Sequence, residues 1–208
     1  MAIEMQFDFR PSLRLWKGLS DFWQVMSANR IDQPVKSRRM FLALWPDDAV
    51  RRQLVDAFAA SPQVHLQGRM FKPGNLHLTL HFLGNLTLDQ LDCVHELASK
   101  IHLSAFDLWL NRYGYFKTPR VFWIGPDRVP EGLYTLYSEL AKKLVNCDYQ
   151  AEKRNFLPHV TLMRKLIDVG QFIVPEAISW HIDRFALVES CAGKEAVEYV
   201  PLEFYKLI

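Results

Sequence analysis

Leucines hold every second position from Leu76 to Leu80 in the segment NLHLTLHFLG, and His77, Thr79 and His81 fall between and after them. Alternation over a short run predicts a half-buried strand, because residues i and i+2 of a strand point to the same face. His77 and Thr79 therefore share one face, and Leu78 and Leu80 turn toward the core. The pattern returns in FLPHVTLMRK, Phe156 to Lys165, where His159 and Thr161 alternate with Val160 and Leu162. By the same parity His81 joins the face of His77.

The segments around these two strands also repeat. RRMFLALWP reads as an apolar strand, after which Pro46, Asp47 and Asp48 open a helix running to about Ser61. Thr87 and Gln90 form a capping box for a helix ending near Lys100, and AFDLWLNRYGYF and RVFWIG follow as strands. A further helix spans Leu133 to Asn146. Helix, loop and His-x-Thr-Leu-type strand thus occur in each half, which predicts a divergent internal duplication with two lobes sharing a cleft.

Residues 1–37 stand apart. Leu15, Leu19, Phe22, Trp23 and Met26 fall at helical spacing behind Pro11, and ANRIDQPVKSRR has the composition of a linker. The expected organisation is an N-terminal extension over 1–37, one amphipathic helix on a tether, and a main domain over 38–208.

Composition narrows the class. With 208 residues, 50% hydrophobic and 23% charged, the chain can bury a full core and has the charge content of a soluble protein. The net charge of +2 permits an anionic ligand without requiring one. Cys93, Cys147 and Cys191 are far apart and lack the close spacing of a zinc or redox motif, so they read as reduced thiols in a cytoplasmic protein. No uncharged apolar run reaches the roughly 18 residues of a membrane span. Charges at Asp8, Arg10, Arg14, Lys17 and Asp21 interrupt any signal-peptide core. A monomer without a membrane partner is expected.

Two imidazoles across a groove, each beside a hydroxyl, suit in-line displacement at phosphorus. One takes the proton of the nucleophile while the other protonates the leaving oxygen. Histidine fits because its ordinary pKa, about 6.5, lets one neutral and one protonated copy coexist near neutrality. The threonines can donate to phosphate oxygens as charge shifts. No cofactor and no metal are expected. His77 and His81 sit four apart, but on a strand that spacing separates them by about 13 Å. No G-x-S-x-G elbow occurs, and no cysteine has a nucleophile's surroundings.

The motifs HLTL and HVTL, 82 positions apart, resemble those of the two-histidine (2H) phosphoesterase superfamily, and most closely its bacterial RNA 2′,3′-cyclic phosphodiesterases, also called 2′-5′ RNA ligase-like proteins. The likeness runs from about Arg38 to Ile208. It implies an α+β, bilobal fold of two pseudo-symmetric lobes, each with an antiparallel sheet and helices, around a central cleft. It implies hydrolysis of RNA ending in a 2′,3′-cyclic phosphate, tRNA halves or small nucleotides among such ends, to a 2′-phosphate. His77 would then be the general acid toward the ribose 3′-oxygen and His159 the base that activates water. Thr79 and Thr161 would bind the phosphate. The family's arginine five residues after the second histidine corresponds to Arg164, and its aromatic five after the first to Phe82. His81 is a further candidate for phosphate or nucleotide.

Strand parity opposes two of these transfers, since an offset of five puts Phe82 and Arg164 on the face away from the histidines unless a bulge intervenes. Gly84 suggests one. Arg69, Lys72, Lys117, Arg120, Lys153 and Arg154 flank the motifs and are candidates to guide an RNA end, with Tyr115 and Trp123 as stacking surfaces. Reversible 2′,5′ ligation or cleavage by transesterification uses the same acid–base pair, and a small-nucleotide phosphodiesterase or binding module would need the same cleft.

Overall fold

The computed structural model describes residues 37–62, 67–150, 155–167, 176–193 and 196–208. The amphipathic helix expected around Leu15 to Met26 lies outside the described residues, as do Lys153 and Arg154. The end of the expected linker, Arg38 and Arg39, already belongs to the first strand.

Strand β1 (Arg38–Leu44) leads into α1 (Asp48–Ala59), which begins where Asp47 Oδ1 accepts the Val50 amide at 2.8 Å. After the short β2 (Arg69–Met70), a 3₁₀ turn at Pro73–Asn75 delivers the chain to β3 (Leu78–Leu86). Helix α2 (Leu88–Ser99) has the expected capping box, with Thr87 Oγ1 accepting from the Gln90 amide at 3.3 Å and Gln90 Oε1 from the Thr87 amide at 3.0 Å. The segment read as one strand, AFDLWLNRYGYF, is broken at Asn111 into β4 (Phe106–Leu110) and β5 (Arg112–Phe116), which enter different sheets. β6 (Val121–Gly125) and α3 (Glu131–Leu144) precede the second motif strand, β7 (Val160–Arg164). Among the described residues three further strands, with no motif of their own, follow: β8 (Ile178–Ile182), β9 (Arg184–Cys191) and β10 (Glu198–Lys206).

The main sheet has the order β10-β9-β1-β3-β7-β6-β5, with β2 beside β7, and β4 and β8 form a separate antiparallel pair. All the pairings are antiparallel. The motif strands β3 and β7 meet at one residue pair, Leu78 opposite Val160, and β2 joins the same two halves by pairing Arg69 and Met70 with Arg164 and Met163. Strand, helix and motif strand succeed each other in both halves, as β1-α1-β3 and β6-α3-β7. Each helix packs behind the opposite half. Phe58 of α1 meets Phe122 of β6, and the Tyr113 hydroxyl donates to the Ala57 carbonyl at 2.7 Å, whereas α3 brings Tyr137 against His81 of β3.

The back of the sheet carries the core. Leu42, Leu78, Phe122, Ile124, Val160 and Leu187 are buried there, at 0% exposure. Each such side chain contributes on the order of 1.5–3 kcal/mol by leaving water. This burial fixes which face is left for chemistry, because a slip of one residue in register would invert both faces.

The cysteine reading is corrected by the structure. Cys93 of α2 and Cys147, in the 3₁₀ turn after α3, form a disulfide, and Cys191 is the free thiol. They lie 54 positions apart and meet because α2 packs beside the end of α3, which sequence spacing does not reveal. In the non-reduced, denatured protein one thiol should titrate, rising to three after reduction. Cys93→Ala should lower unfolding free energy by roughly 2–4 kcal/mol, read from denaturant midpoints.

Candidate active site

Residues paired across an antiparallel ladder share a face, so the registers locate each side chain. Thr79 lies opposite Ala43, and Phe82 opposite Phe41; Ala43 and Phe41 line the face away from the helices, with Ala186 and Val188. Between them, His81 lies opposite Leu42 on the back, and Leu80 has no partner. Leu80 is thus the extra residue of a bulge that reverses parity. The second strand repeats the device: Thr161 faces Trp123, Met163 faces Phe122 and Arg164 faces Val121, leaving Leu162 unpaired.

These two bulges resolve the parity conflict. Phe82 and Arg164, each five residues beyond a histidine, come to the same face as Thr79 and Thr161. The expected irregularity near Gly84 also exists, with φ of 75° and a second register shift, but it follows Phe82 and does not turn it.

The bulge overturns the placement of His81 on the face of His77. His81 is 2% exposed on the helix side; its Nε2 donates to the Tyr137 carbonyl at 2.9 Å, and its Nδ1 is 3.2 Å from the Tyr149 hydroxyl. Its ring stacks on Tyr137, 4.3 Å between centroids, and Tyr137 stacks in turn on Phe156 at 4.0 Å. Because β3 and the approach to β7 diverge beyond the Leu78–Val160 pair, a cavity of about 330 Å³ opens between them. It is bordered by Thr79, Phe82, Phe116, Phe156 and His159, and it reaches His81 through the gap.

The two motif histidines are held by the same local contact. Nδ1–H of His77 donates to the Asn75 carbonyl at 2.6 Å, and Nδ1–H of His159 to the Leu157 carbonyl at 2.7 Å. A carbonyl only accepts, so the proton sits on Nδ1 and Nε2 is the atom that titrates in both rings. Thr79 Oγ1–H lies 3.1 Å from His77 Nε2 and donates to it while the ring is neutral.

Their surroundings differ. His77 is 7% exposed and enclosed by Phe41, Phe71 and Tyr199, with Trp45 stacked against it at 5.9 Å. Burial, first of all, pushes its pKa down to about 4, with the Asn75 carbonyl opposing and the charges of Arg164, His159 and Arg51 adding to the shift. His159 is partly open, flanked by Phe116 at 5.0 Å edge-on and Trp123 at 6.0 Å.

Several positioning residues escaped the sequence reading. The buried amide of Asn75 donates from Nδ2 to the Val197 carbonyl at 2.8 Å and accepts the Tyr199 amide at 3.1 Å, which ties β10 to the turn carrying His77. Buried Arg51 donates to the carbonyls of Pro73 and Pro46, at 2.6 and 2.9 Å, and lies over Trp45. A polar Asn two residues ahead of a motif histidine was the available signal for the first; Arg51 had none, since it looks like any helix surface arginine.

Arg164 is exposed, with its guanidinium over Phe71 at 4.9 Å. Lys117 and Arg120 are exposed around the Thr118–Pro119 turn beside the cavity. Trp123 faces the cleft, whereas the Tyr115 hydroxyl donates to the Leu166 carbonyl at 3.0 Å on the other side.

Known proteins resemble this chain in sequence and fold. The chain is 29% identical to an RNA 2′,3′-cyclic phosphodiesterase of Escherichia coli over 172 residues, covering 82% of this chain and 97% of that protein. It is 28% identical to the Thermotoga maritima protein of the same name, covering 73% and 86%. The crystal structure of E. coli LigT in apo form superposes with a TM-score of 0.75 at 28% identity, covering 83% of this chain and 98% of that one, and LigT has also been crystallised with 3′-AMP. The model of the 2′-5′ RNA ligase superfamily matches residues 45–193, a span containing both motif strands and both bulges, and the chain belongs to that superfamily.

Proposed function

We propose that this protein hydrolyses the 2′,3′-cyclic phosphate at the end of an RNA strand to a 2′-phosphate, by acid–base catalysis between His77 and His159. The observation that carries this reading is the duplication of one local device. In each half a histidine has its Nδ1–H tied to the carbonyl two residues back, which leaves Nε2 as the atom that can exchange a proton, on strands that meet at one pair. The relatives named RNA 2′,3′-cyclic phosphodiesterase support the substrate class.

In the proposed step His159 Nε2 takes a proton from water as the water oxygen bonds to phosphorus. The bond from phosphorus to the ribose 3′-oxygen breaks opposite, and His77 Nε2 gives that oxygen its proton. The 2′-oxygen keeps the phosphoryl group. Thr79 and Thr161 donate to the non-bridging oxygens, and Arg164 holds them electrostatically as negative charge grows. Phe82, 45% exposed at the rim of the cavity, offers a face to the terminal base.

The burial of His77, which holds its pKa down to about 4, supports a division of labour with the substrate. A phosphodiester anion beside His77 attracts the proton that burial and Arg164 repel, so the acid is charged when the substrate is in place. In kcat/KM, one limb of the pH profile should reflect the His77 pKa of about 4, well below the ordinary histidine value, because kcat/KM reports the essential groups of the free enzyme.

Stability should follow the same group. A folded-state pKa depressed to about 4 means that the unfolded chain binds the proton first. Stability is full above about pH 6.5 and is lost as pH falls from there toward 4, by up to about 3 kcal/mol. Urea melts of His77→Gln should show a shallower decline across that window.

Turnover should fall about 10²–10⁴-fold in each of His77→Ala and His159→Ala, and far less than additively in the double variant. The assay is a short RNA with a 2′,3′-cyclic end, incubated in EDTA, with the terminal products resolved. A 2′-phosphate formed by the unaltered protein and lost in both variants is the expected result. A 3′-phosphate product, activity lost with EDTA, or either variant retaining full activity would refute the mechanism.

A further inference from the structure

A second concavity, of about 90 Å³, shares no lining residue with the aromatic cavity and is bordered by Arg69, Phe71, Lys72, Asn75, Arg164 and Tyr199. It includes neither catalytic histidine. We infer that it is a second anion subsite, which takes a phosphodiester of the RNA strand upstream of the cyclic end.

The cations are brought together by the fold. β2 pairs with β7 so that Arg69 lies directly opposite Arg164. Since paired residues share a face, the β7 bulge that turns Arg164 to the cleft turns Arg69 with it. Like charges opposite each other on an antiparallel pair repel. An anion seated between them converts that repulsion into attraction, and guanidinium forks suit phosphate oxygens.

Lys72 stands at the same rim, 3.7 Å from Glu198, with both side chains about half exposed. A water-screened pair of that kind is weak and exchanges readily for a phosphate. The wall is preformed, because the Asn75 amide clamps Val197 and Tyr199 to the turn that carries Lys72. Phe71 stands between this cluster and the reaction centre: its ring lies under the Arg164 guanidinium and 6.2 Å from the His77 ring. A phosphate in the second concavity is therefore separate from the one between the histidines, yet shares Arg164 with it.

This inference rests on the proposed reaction only in taking the ligand to be RNA. Its consequence is a preference for strands over mononucleotides, set by Arg69 and Lys72. The test compares adenosine 2′,3′-cyclic phosphate with an adenosine trinucleotide bearing the same end, for the unaltered protein and R69A/K72A. KM for the trinucleotide should rise about tenfold at low salt, with kcat little changed. The salt dependence of log KM should lose a slope of about 1, the release expected from one or two phosphate contacts on a single strand. KM for the mononucleotide should move less than twofold, and R69K/K72R should recover most of the trinucleotide effect.

Equal losses on both substrates would place these residues at the scissile phosphate, and no loss on either would leave the concavity without a role; both outcomes overturn the inference. If the unaltered protein turns over neither substrate, the proposed reaction fails, and the subsite is read instead from anisotropy of a labelled trinucleotide ending in a 2′-phosphate. Weaker binding by R69A/K72A then upholds the subsite, and equal binding refutes it.

Discussion

One antiparallel pair, Leu78 opposite Val160, is the contact on which the rest of this architecture depends. Both residues are fully buried on the back of the sheet, so the positions on either side of them must face the other way. Those positions are His77, Thr79, His159 and Thr161. A pair that joins the two motif strands at a single point also lets β3 and the chain before β7 splay apart. The splaying opens the aromatic cavity beside Thr79 and His159.

The two bulges add what regular strands cannot supply. A pleated strand offers only alternate residues to a face, yet this site gathers residues at offsets of two and five from each histidine. One unpaired leucine in each strand, Leu80 and Leu162, changes the parity between those offsets. The cost is a locally broken ladder, offset by burial of both leucines, at 4% and 3% exposure. The same change of parity moves His81 into the helix layer, where it supports the Tyr137–Phe156 stack instead of facing the phosphate side.

Although the backbones of the two halves match, their side chains do not. His77 sits in a closed box of Phe41, Trp45, Phe71 and Tyr199, whereas His159 has aromatic neighbours on one side and the open cavity on the other. Burial lowers the proton affinity of His77, so the acid's role proposed for it depends on the charge of a substrate phosphate beside it. Asn75 couples this asymmetry to the basic concavity, since the residue whose carbonyl holds His77 also anchors β10 through its side chain.

The alternation in NLHLTLHFLG and FLPHVTLMRK, together with the capping residues at Asp47 and Thr87, was enough to read the motif strands, helices α1 and α2 and the duplication, because these depend on neighbours a few residues apart. His77, Thr79, His159 and Thr161 were legible for the same reason. Tertiary structure decided what depends on partners across the sheet: the register of Thr79 on Ala43 and His81 on Leu42, the bulges, the break at Asn111, the Cys93–Cys147 bond, and the placing of Arg69 opposite Arg164. A single strand carries no record of which residue its neighbour skips. The side on which Phe82, His81 and Arg164 emerge was therefore set only when β1 and β6 were laid beside β3 and β7.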